Sequence, residues 1–280
     1  MTQTDILVTG STGKTGRRVT ESLRARGASV RAAGRSARVR FDWNDESTWE
    51  PALTGVRAAY LVDRQDQPGA WDAEAEIGAL AKRAVECGVR RLVLLQARTT
   101  GLVGGKDLGA GEHGVRESGA EWTVLRPNWF FQNFDEGVLL DSVRAGEIRL
   151  PTGDGQEPFV DAGDVADVAT AALLDDGHDG QVYDLSGARA LTLAEAADEI
   201  SAAAGRAVTY VPVTHDDYVT ELLSYDVPAD YAGFVADLAG QIRRNLNSTP
   251  TDTVERVLGR PPRGFTDFVR DAVARGTWAV

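Results

Sequence analysis

Three glycines at intervals of three, Gly10, Gly13 and Gly16, follow the apolar run Ile6-Leu7-Val8 and open a helical stretch over 15–26. This order of strand, tight turn and helix start constrains the fold more than any other feature of the chain. Glycines so spaced let the backbone turn sharply, let a ligand approach the main chain and let the helix pack close to the strand. The unpaired N–H groups and the positive end of the helix then favour an anion. The same stretch, VTGSTGKTG, also contains Gly13-Lys14-Thr15, the second half of a Walker motif, but Val8 stands where that motif needs its first glycine. The spacing therefore predicts a dinucleotide, not a nucleoside triphosphate.

Short apolar runs alternate with helical patterns through the first half, which predicts a doubly wound parallel α/β sheet of the Rossmann type. Strands are expected at 5–9, 29–33, 38–41, 58–62, 91–95 and 122–126, with helices at 15–26, 47–53, 71–87 and 109–118. Gly27 and Gly88 stand just past two of these helices, where a left-handed cap is favoured. Beyond Pro127 the pattern is broken by Gly146, Pro151, Gly153, Gly155 and Pro158. A helix at 164–174 and a strand at 181–185 follow. Thr192 with Glu195 three residues later reads as a capping box opening a helix over 192–204, before a strand at 208–211 and three further helical stretches. The expected organisation is a dinucleotide-binding domain over 1–155, to which 160–186 returns. A smaller mixed α/β substrate lobe takes 187–280 and parts of 129–160.

The composition, 42% hydrophobic and 26% charged, is that of a globular chain, and no apolar run approaches the roughly 18 residues of a membrane span. The start MTQTD lacks a basic and apolar leader pattern, and the single Cys87 excludes an internal disulfide, so a cytoplasmic location is expected. A net charge of −12 argues against nucleic acid as a partner and leaves small molecules, with a monomer or homodimer expected. Basic residues nevertheless concentrate in the first forty: Lys14, Arg17, Arg18, Arg24, Arg26, Arg31, Arg35, Arg38 and Arg40. Either they face an anionic cofactor or, as for Arg24 and Arg26, they are solvated helix positions.

In dinucleotide folds the tip of the second strand selects the cofactor: a carboxylate there binds the ribose 2′-hydroxyl, an arginine the 2′-phosphate. Here the strand ends Ala33-Gly34-Arg35-Ser36, with no carboxylate before Asp42. Arg35 and Ser36 therefore favour NADPH (NADP+) over NADH.

Several motifs in order resemble the NmrA-like atypical short-chain dehydrogenases and reductases. They are Gly10-Ser11-Thr12-Gly13-Lys14-Thr15-Gly16, Val30 to Arg35, Trp122 to Phe134, Phe159 to Ala166, Asp184-Leu185-Ser186-Gly187, Leu258 to Pro262 and Phe265 to Phe268. Phe41-Asp42-Trp43, Ser47-Thr48-Trp49 and Tyr60-Leu61-Val62 look closest to the reductases of ergot alkaloid biosynthesis, festuclavine dehydrogenase among them. The resemblance implies a cofactor lying along the strand ends. Asp42 and Trp43 would flank the adenine, Val62 and Asp63 the middle of the cofactor, and Gln96, Pro127 and Asn128 the nicotinamide. For Trp43 and Trp49, packing is the alternative.

Short-chain dehydrogenases typically protonate an alkoxide with a Tyr activated by a Lys four residues on. None of the six tyrosines lies where that pair belongs. Many NmrA-like proteins carry a Lys on the helix after the fifth strand, where Ala110 stands here, with Lys106 a turn earlier. Two readings fit: NADP(H) sensing without turnover, in the manner of the NmrA-type regulators, or a substrate that needs no strong acid. An iminium carbon accepts hydride without leaving an alkoxide, and the resemblance to the ergot reductases points to that kind of substrate, in secondary metabolism. The oxidoreductase reading therefore covers an imine or iminium, a carbonyl, a conjugated C=C or a quinone.

Candidates near the reacting atom are Gln96 and His113 in catalytic roles, with Arg98, Trp129, Phe130 and Asn133 toward the substrate. A lone helical His is otherwise structural. Trp129, Phe130, Phe131 and Phe134 form either a substrate wall or the anchor of the second lobe. One Cys and the separated His113, His178 and His215 predict no metal site. Asp175, Asp176 and Asp179 near His178 read as a solvated helix end.

Overall fold

The computed structural model describes residues 5–63, 72–105 and 107–279. Seven strands form one all-parallel sheet in the order β3-β2-β1-β4-β5-β6-β9. They are β1 (Asp5–Val8), β2 (Val30–Gly34), β3 (Val39–Arg40), β4 (Val56–Val62), β5 (Arg91–Leu95), β6 (Glu121–Pro127) and β9 (Gln181–Leu185). All were expected from sequence, because apolar runs buried on both faces read as continuous hydrophobic stretches. The order reverses between β1 and β4, which opens a crevice at their carboxyl ends.

Two helical layers cover this sheet. On one face α1 (Lys14–Ala25) and α6 (Ala162–Leu174) pack Val19, Leu23, Val165, Ala169 and Leu173 against Ile6, Val8, Tyr60 and Val93. On the other, α2 (Trp49–Leu53), α3 (Ala73–Glu86) and α4 (Gly111–Arg116) pack Leu53, Ile77, Leu80 and Val115 against Leu7, Leu61, Leu92 and Leu94. Both helix stops read from sequence are left-handed, Gly27 at φ +76° and Gly88 at +90°. The expected start of α3 at Trp71 lies outside the described residues.

A second core gathers aromatic side chains from the later chain. Phe131, Phe134, Phe159, Phe265 and Phe268 meet mostly edge-on or tilted, with ring centroids 5.2–6.4 Å apart. Around them pack α5 (Leu140–Ala145), β7 (Glu147–Leu150), α7 (Leu193–Ala204) and α11 (Phe265–Ala274). The capping box on α7 forms as read, Thr192 and Glu195 satisfying each other's backbone N–H. β7 pairs in parallel with β11 (Thr209–Pro212), and β8 (Gln156–Glu157) pairs antiparallel with β10 (Leu191–Thr192).

The sequence reading had no α5, β7, β8 or β10, since each spans only two to six residues between breakers. It also expected three late helices where four stand: α8 (His215–Ser224), α9 (Ala229–Arg243), α10 (Thr253–Leu258) and α11. Of these, α10 returns to the sheet, placing Val254 in the core of the α1 and α6 face. Among the described residues no helix is long and apolar enough to cross a membrane.

Candidate functional site

The glycine turn sits at the sheet's reversal point. Gly10 takes φ +57°, and an ideal Cβ on it would meet Val62 Cβ at 3.4 Å, so the exits of β1 and β4 touch there. Thr9 stitches the same two strands, its hydroxyl donating to the Tyr60 carbonyl and accepting the Val62 N–H. Ser11 N–H donates to the Ala33 carbonyl at 3.1 Å, which binds the turn to the end of β2. A Cβ on Gly16 would overlap the Gly10 carbonyl, 2.7 Å from its carbon, so the first turn of α1 lies hard against the loop. Gly13 caps α1 with no side chain over it, and the first turn holds no acidic residue. Thr12 and Gly13 are exposed, while Thr15 and Gly16 are buried beneath them. The Ser11 and Gly13 N–H groups are spent within the turn, on the Ala33 and Gly10 carbonyls; the exposed Thr12, the positive helix end and a first turn without an acidic residue suit a diphosphate.

Arg35 and Ser36 project as exposed residues just past the end of β2. The structure divides the arginine-rich start that sequence read as a group. Arg17 and Arg18 pair with Glu136, Arg26 with Asp175, Arg31 with Asp5 and Arg40 with Asp45. Arg26 is thus an ion-pair partner instead of a merely solvated residue. Among the described residues Arg35 has no ion pair, which leaves its guanidinium open to an outside anion.

Beside it, Trp43 Nε1 donates to the Val62 carbonyl at 3.0 Å and leaves the indole half-buried next to the turn. Trp49, 4% exposed, is core, and its Nε1 donates to the Asp42 carbonyl. Trp43 packs as well, edge-on against Phe41 at 5.3 Å and Trp49 at 6.1 Å, while part of its indole stays accessible. Asp42 spends one carboxylate oxygen on the Asn44 N–H. Lys14 lies under the segment after β6, where a Cβ on Gly137 would come within 2.8 Å of its Nζ and of Asn133 Cα.

Strand register continues this line of residues. Val62 stands opposite Leu95 and Leu95 opposite Leu125, so Asp63 and Gln96 leave the sheet in register with Arg126, which still pairs with Asp184 of β9. Gln96 is 1% exposed and points under α4, where a Cβ on Gly111 would come within 2.6 Å of its Nε2. Among the described residues neither its Nε2 nor its Oε1 has a hydrogen-bond partner. An amide with both ends unsatisfied is rare in a folded interior.

His113, Asn128 and Arg98 are engaged within the protein, and the open choice for Phe131 and Phe134 falls to packing. His113 does not join Gln96. It lies two residues after Gly111, about 200° around the helix, and its 58% exposed ring faces Glu117 at 3.3 Å and Glu74 at 3.8 Å. The Asn128 side chain is already committed: Oδ1 accepts from Arg98 Nη1 at 2.9 Å, while Nδ2 donates to Glu157 Oε1 at 2.7 Å and to the Asn247 carbonyl at 3.1 Å. Arg98 likewise reaches the Thr249 carbonyl and Asp184, so it clamps the chain instead of opening toward a substrate. Phe131 and Phe134 are core, leaving the half-buried Trp129 and Phe130 as the exposed part of the aromatic run. Lys106 lies outside the described residues.

Glu157 escaped the sequence reading. It is 3% exposed, and burial pushes its carboxyl up to about 7 against the pull of the Trp129 N–H, Asn128 and Arg98. Its local sequence, a Glu between Gly155 and Pro158, gives no sign of burial, which comes from the distant 245–249 segment. Tyr60, fully buried below the turn, has its phenol driven well above the usual range by desolvation, so it supplies no ready proton.

A seven-stranded parallel sheet with a glycine turn at its reversal point defines a dinucleotide-binding α/β protein. Residues 10–176 match the family described as NAD(P)H-binding, and the chain belongs to that family, within the NmrA-like atypical short-chain dehydrogenases and reductases expected from its motifs. The chain is 37% identical to the uncharacterized oxidoreductase YesF of Bacillus subtilis (strain 168), over 96% of this chain and 95% of that one. It is 30% identical to agroclavine dehydrogenase of Claviceps fusiformis, over 95% and 96%. An NADPH-dependent quinone oxidoreductase from Escherichia coli, solved with NADPH, superposes with a TM-score of 0.79 at 23% identity, covering 96% of this chain and 99% of that one.

Proposed function

We propose that the protein is an NADPH-dependent reductase of a small conjugated electrophile: an imine or iminium, a carbonyl, a conjugated C=C or a quinone. A place in specialised metabolism is part of this reading. The observation that carries it is an exposed glycine turn beside Arg35, which has no ion pair among the described residues, at the neighbouring strand tip. NADPH, when bound, supplies hydride. The chain's own residues do the rest. Gly10 to Gly16 grip the diphosphate, Arg35 and Ser36 take the 2′-phosphate, and Trp43 and Val62 border the adenine half. Gln96, whose amide finds no partner among the described residues, would lie beside the nicotinamide end of the cofactor. Pro127 supplies backbone shape in place of the Asn128 amide, and Trp129 and Phe130 exclude water from the substrate face.

No tyrosine occurs between residues 96 and 120, where the proton donor of a typical short-chain dehydrogenase would lie, and this fits acceptors that need no strong acid at the moment of hydride addition. The names of the agroclavine dehydrogenase and quinone oxidoreductase relatives belong to the same chemical range. The test is NADPH oxidation followed at 340 nm against cyclic iminiums, enones and quinones, with turnover expected for at least one class. Tight NADPH binding with no turnover across the panel would instead identify a cofactor sensor.

A further inference from the structure

Trp129 is held from both sides by one short segment. Its N–H donates to Glu157 Oε1 at 3.0 Å, and its carbonyl accepts the Val160 N–H at 2.9 Å. The same Glu157 oxygen receives the Asn128 amide, which in turn is fixed by Arg98 and the Asn247 carbonyl. Glu157 Oε2 accepts no hydrogen bond among the described residues. A buried carboxylate is a costly way to hold a backbone N–H, since a neutral amide does so without desolvating a charge. A carboxylate at this junction, where an amide would serve for the hydrogen bonds alone, points to a use for its charge.

We propose that Glu157 is a positioning residue for the substrate wall. Its ionised carboxylate draws the Asn128 amide and the Trp129 N–H onto one oxygen and holds the Trp129 indole in its binding pose, and protonation slackens that hold. Charge-assisted hydrogen bonds are roughly twice as strong as neutral ones, so protonation weakens both contacts without abolishing them. Burial places this change near neutrality, with the carboxylate forming as pH rises through about 7. The charged groups facing Glu157 are Arg98 from the β5 exit, with Asp184 on β9 behind it. From α9, Arg243 lies over Gly153, while Asn245, Asn247, Leu191 and Thr192 complete the surround without charge.

The inference rests on the reductase reading for what Trp129 touches, and on geometry alone for the link between Trp129 and Glu157. Glu157→Gln keeps the acceptor oxygen and removes the titration. In the wild type the KM for a reduced substrate is expected to fall severalfold from about pH 6 to about pH 8. In Glu157→Gln it should stay within about twofold over that range, and Glu157→Asp should restore a pH-dependent KM. A second readout needs no turnover. The Trp129 emission, taken as wild type minus Trp129→Phe, should shift across the same pH range only where residue 157 is a carboxylate. If Glu157→Gln shows the wild-type pH dependence in emission, or the wild type shows none, the proposal is wrong. Should no substrate be reduced, the reductase reading falls and the fluorescence comparison alone decides the role of Glu157.

Discussion

Gly16 packs so closely under Gly10 that a Cβ would stand 2.7 Å from the Gly10 carbonyl carbon and 3.0 Å from Ser11 Cα. Both are backbone atoms with no rotamer to yield. Gly16→Ala is therefore expected to lift the first turn of α1 off the loop, costing about 1–3 kcal/mol and most of the NADPH affinity. Gly233→Ala is the control. That residue lies inside α9 with nothing within 4 Å of an added Cβ, and the change should stabilise by about 0.5–1 kcal/mol. Thermal melts with and without NADPH check both; equal effects would refute the packing argument.

Arg35→Glu should raise the KM for NADPH by roughly 10- to 100-fold, the scale of one or two lost charge-assisted hydrogen bonds, while leaving NADH almost unaffected. Parallel titrations with the two cofactors test this. A similar loss for both would mean that Arg35 does not read the 2′-phosphate.

Gln96→Leu should separate stability from activity. Removing an amide with neither end satisfied is expected to stabilise the fold by about 1–3 kcal/mol, seen as a melting temperature a few degrees higher. The same change should lower kcat/KM for NADPH by roughly tenfold. A drop in both would show that the amide has a structural partner.

His113→Ala is expected to leave kcat within about threefold of wild type, below the roughly 100-fold or greater loss typical of a general acid. Steady-state rates at saturating substrate decide the point, and a loss of two orders of magnitude would return His113 to the mechanism.

The pH dependence of stability follows from the same buried Glu157. Its folded pKa, raised to about 7, exceeds the unfolded value of 4.5, so the unfolded chain loses the proton first. The contribution to stability is fully present below about pH 4.5 and is lost as pH rises toward 7. Glu157→Gln should therefore gain on the wild type across that window, by up to the order of 3 kcal/mol, and hold the gain above it. Urea titrations at a series of pH values give the comparison; a gain that does not grow between pH 4.5 and 7 would contradict it.

Much of this architecture is written locally. The strands are apolar runs bounded by Gly and Arg, the turn glycines sit at fixed intervals, and the place of Arg35 follows from where β2 must end. His113 could have been read outward too, since the buried Gly111, Glu112 and Val115 set the phase of α4. The uses of Arg98, Asn128 and Glu157 were not legible. Their partners, Asn247 and Thr249, lie more than a hundred residues away from Asn128 and Arg98, and no pattern around either end records the meeting. The β5–α4 connection shows the same limit: Gln241, 4% exposed on α9, bonds both the N–H and the carbonyl of Thr100, an attachment invisible from either segment alone.

The return of α10 to the sheet decides how this protein can be cut. Val254 fills the flank beside α6, and just beyond it Arg260 and Arg263 neutralise Asp164, which is wholly buried. A fragment ending after β9 would keep every residue of the cofactor turn yet expose that flank and strand a charge in its interior. Chimeras that trade substrate specificity between relatives must therefore carry residues 253–263 with the cofactor half, although they follow it by many residues along the chain.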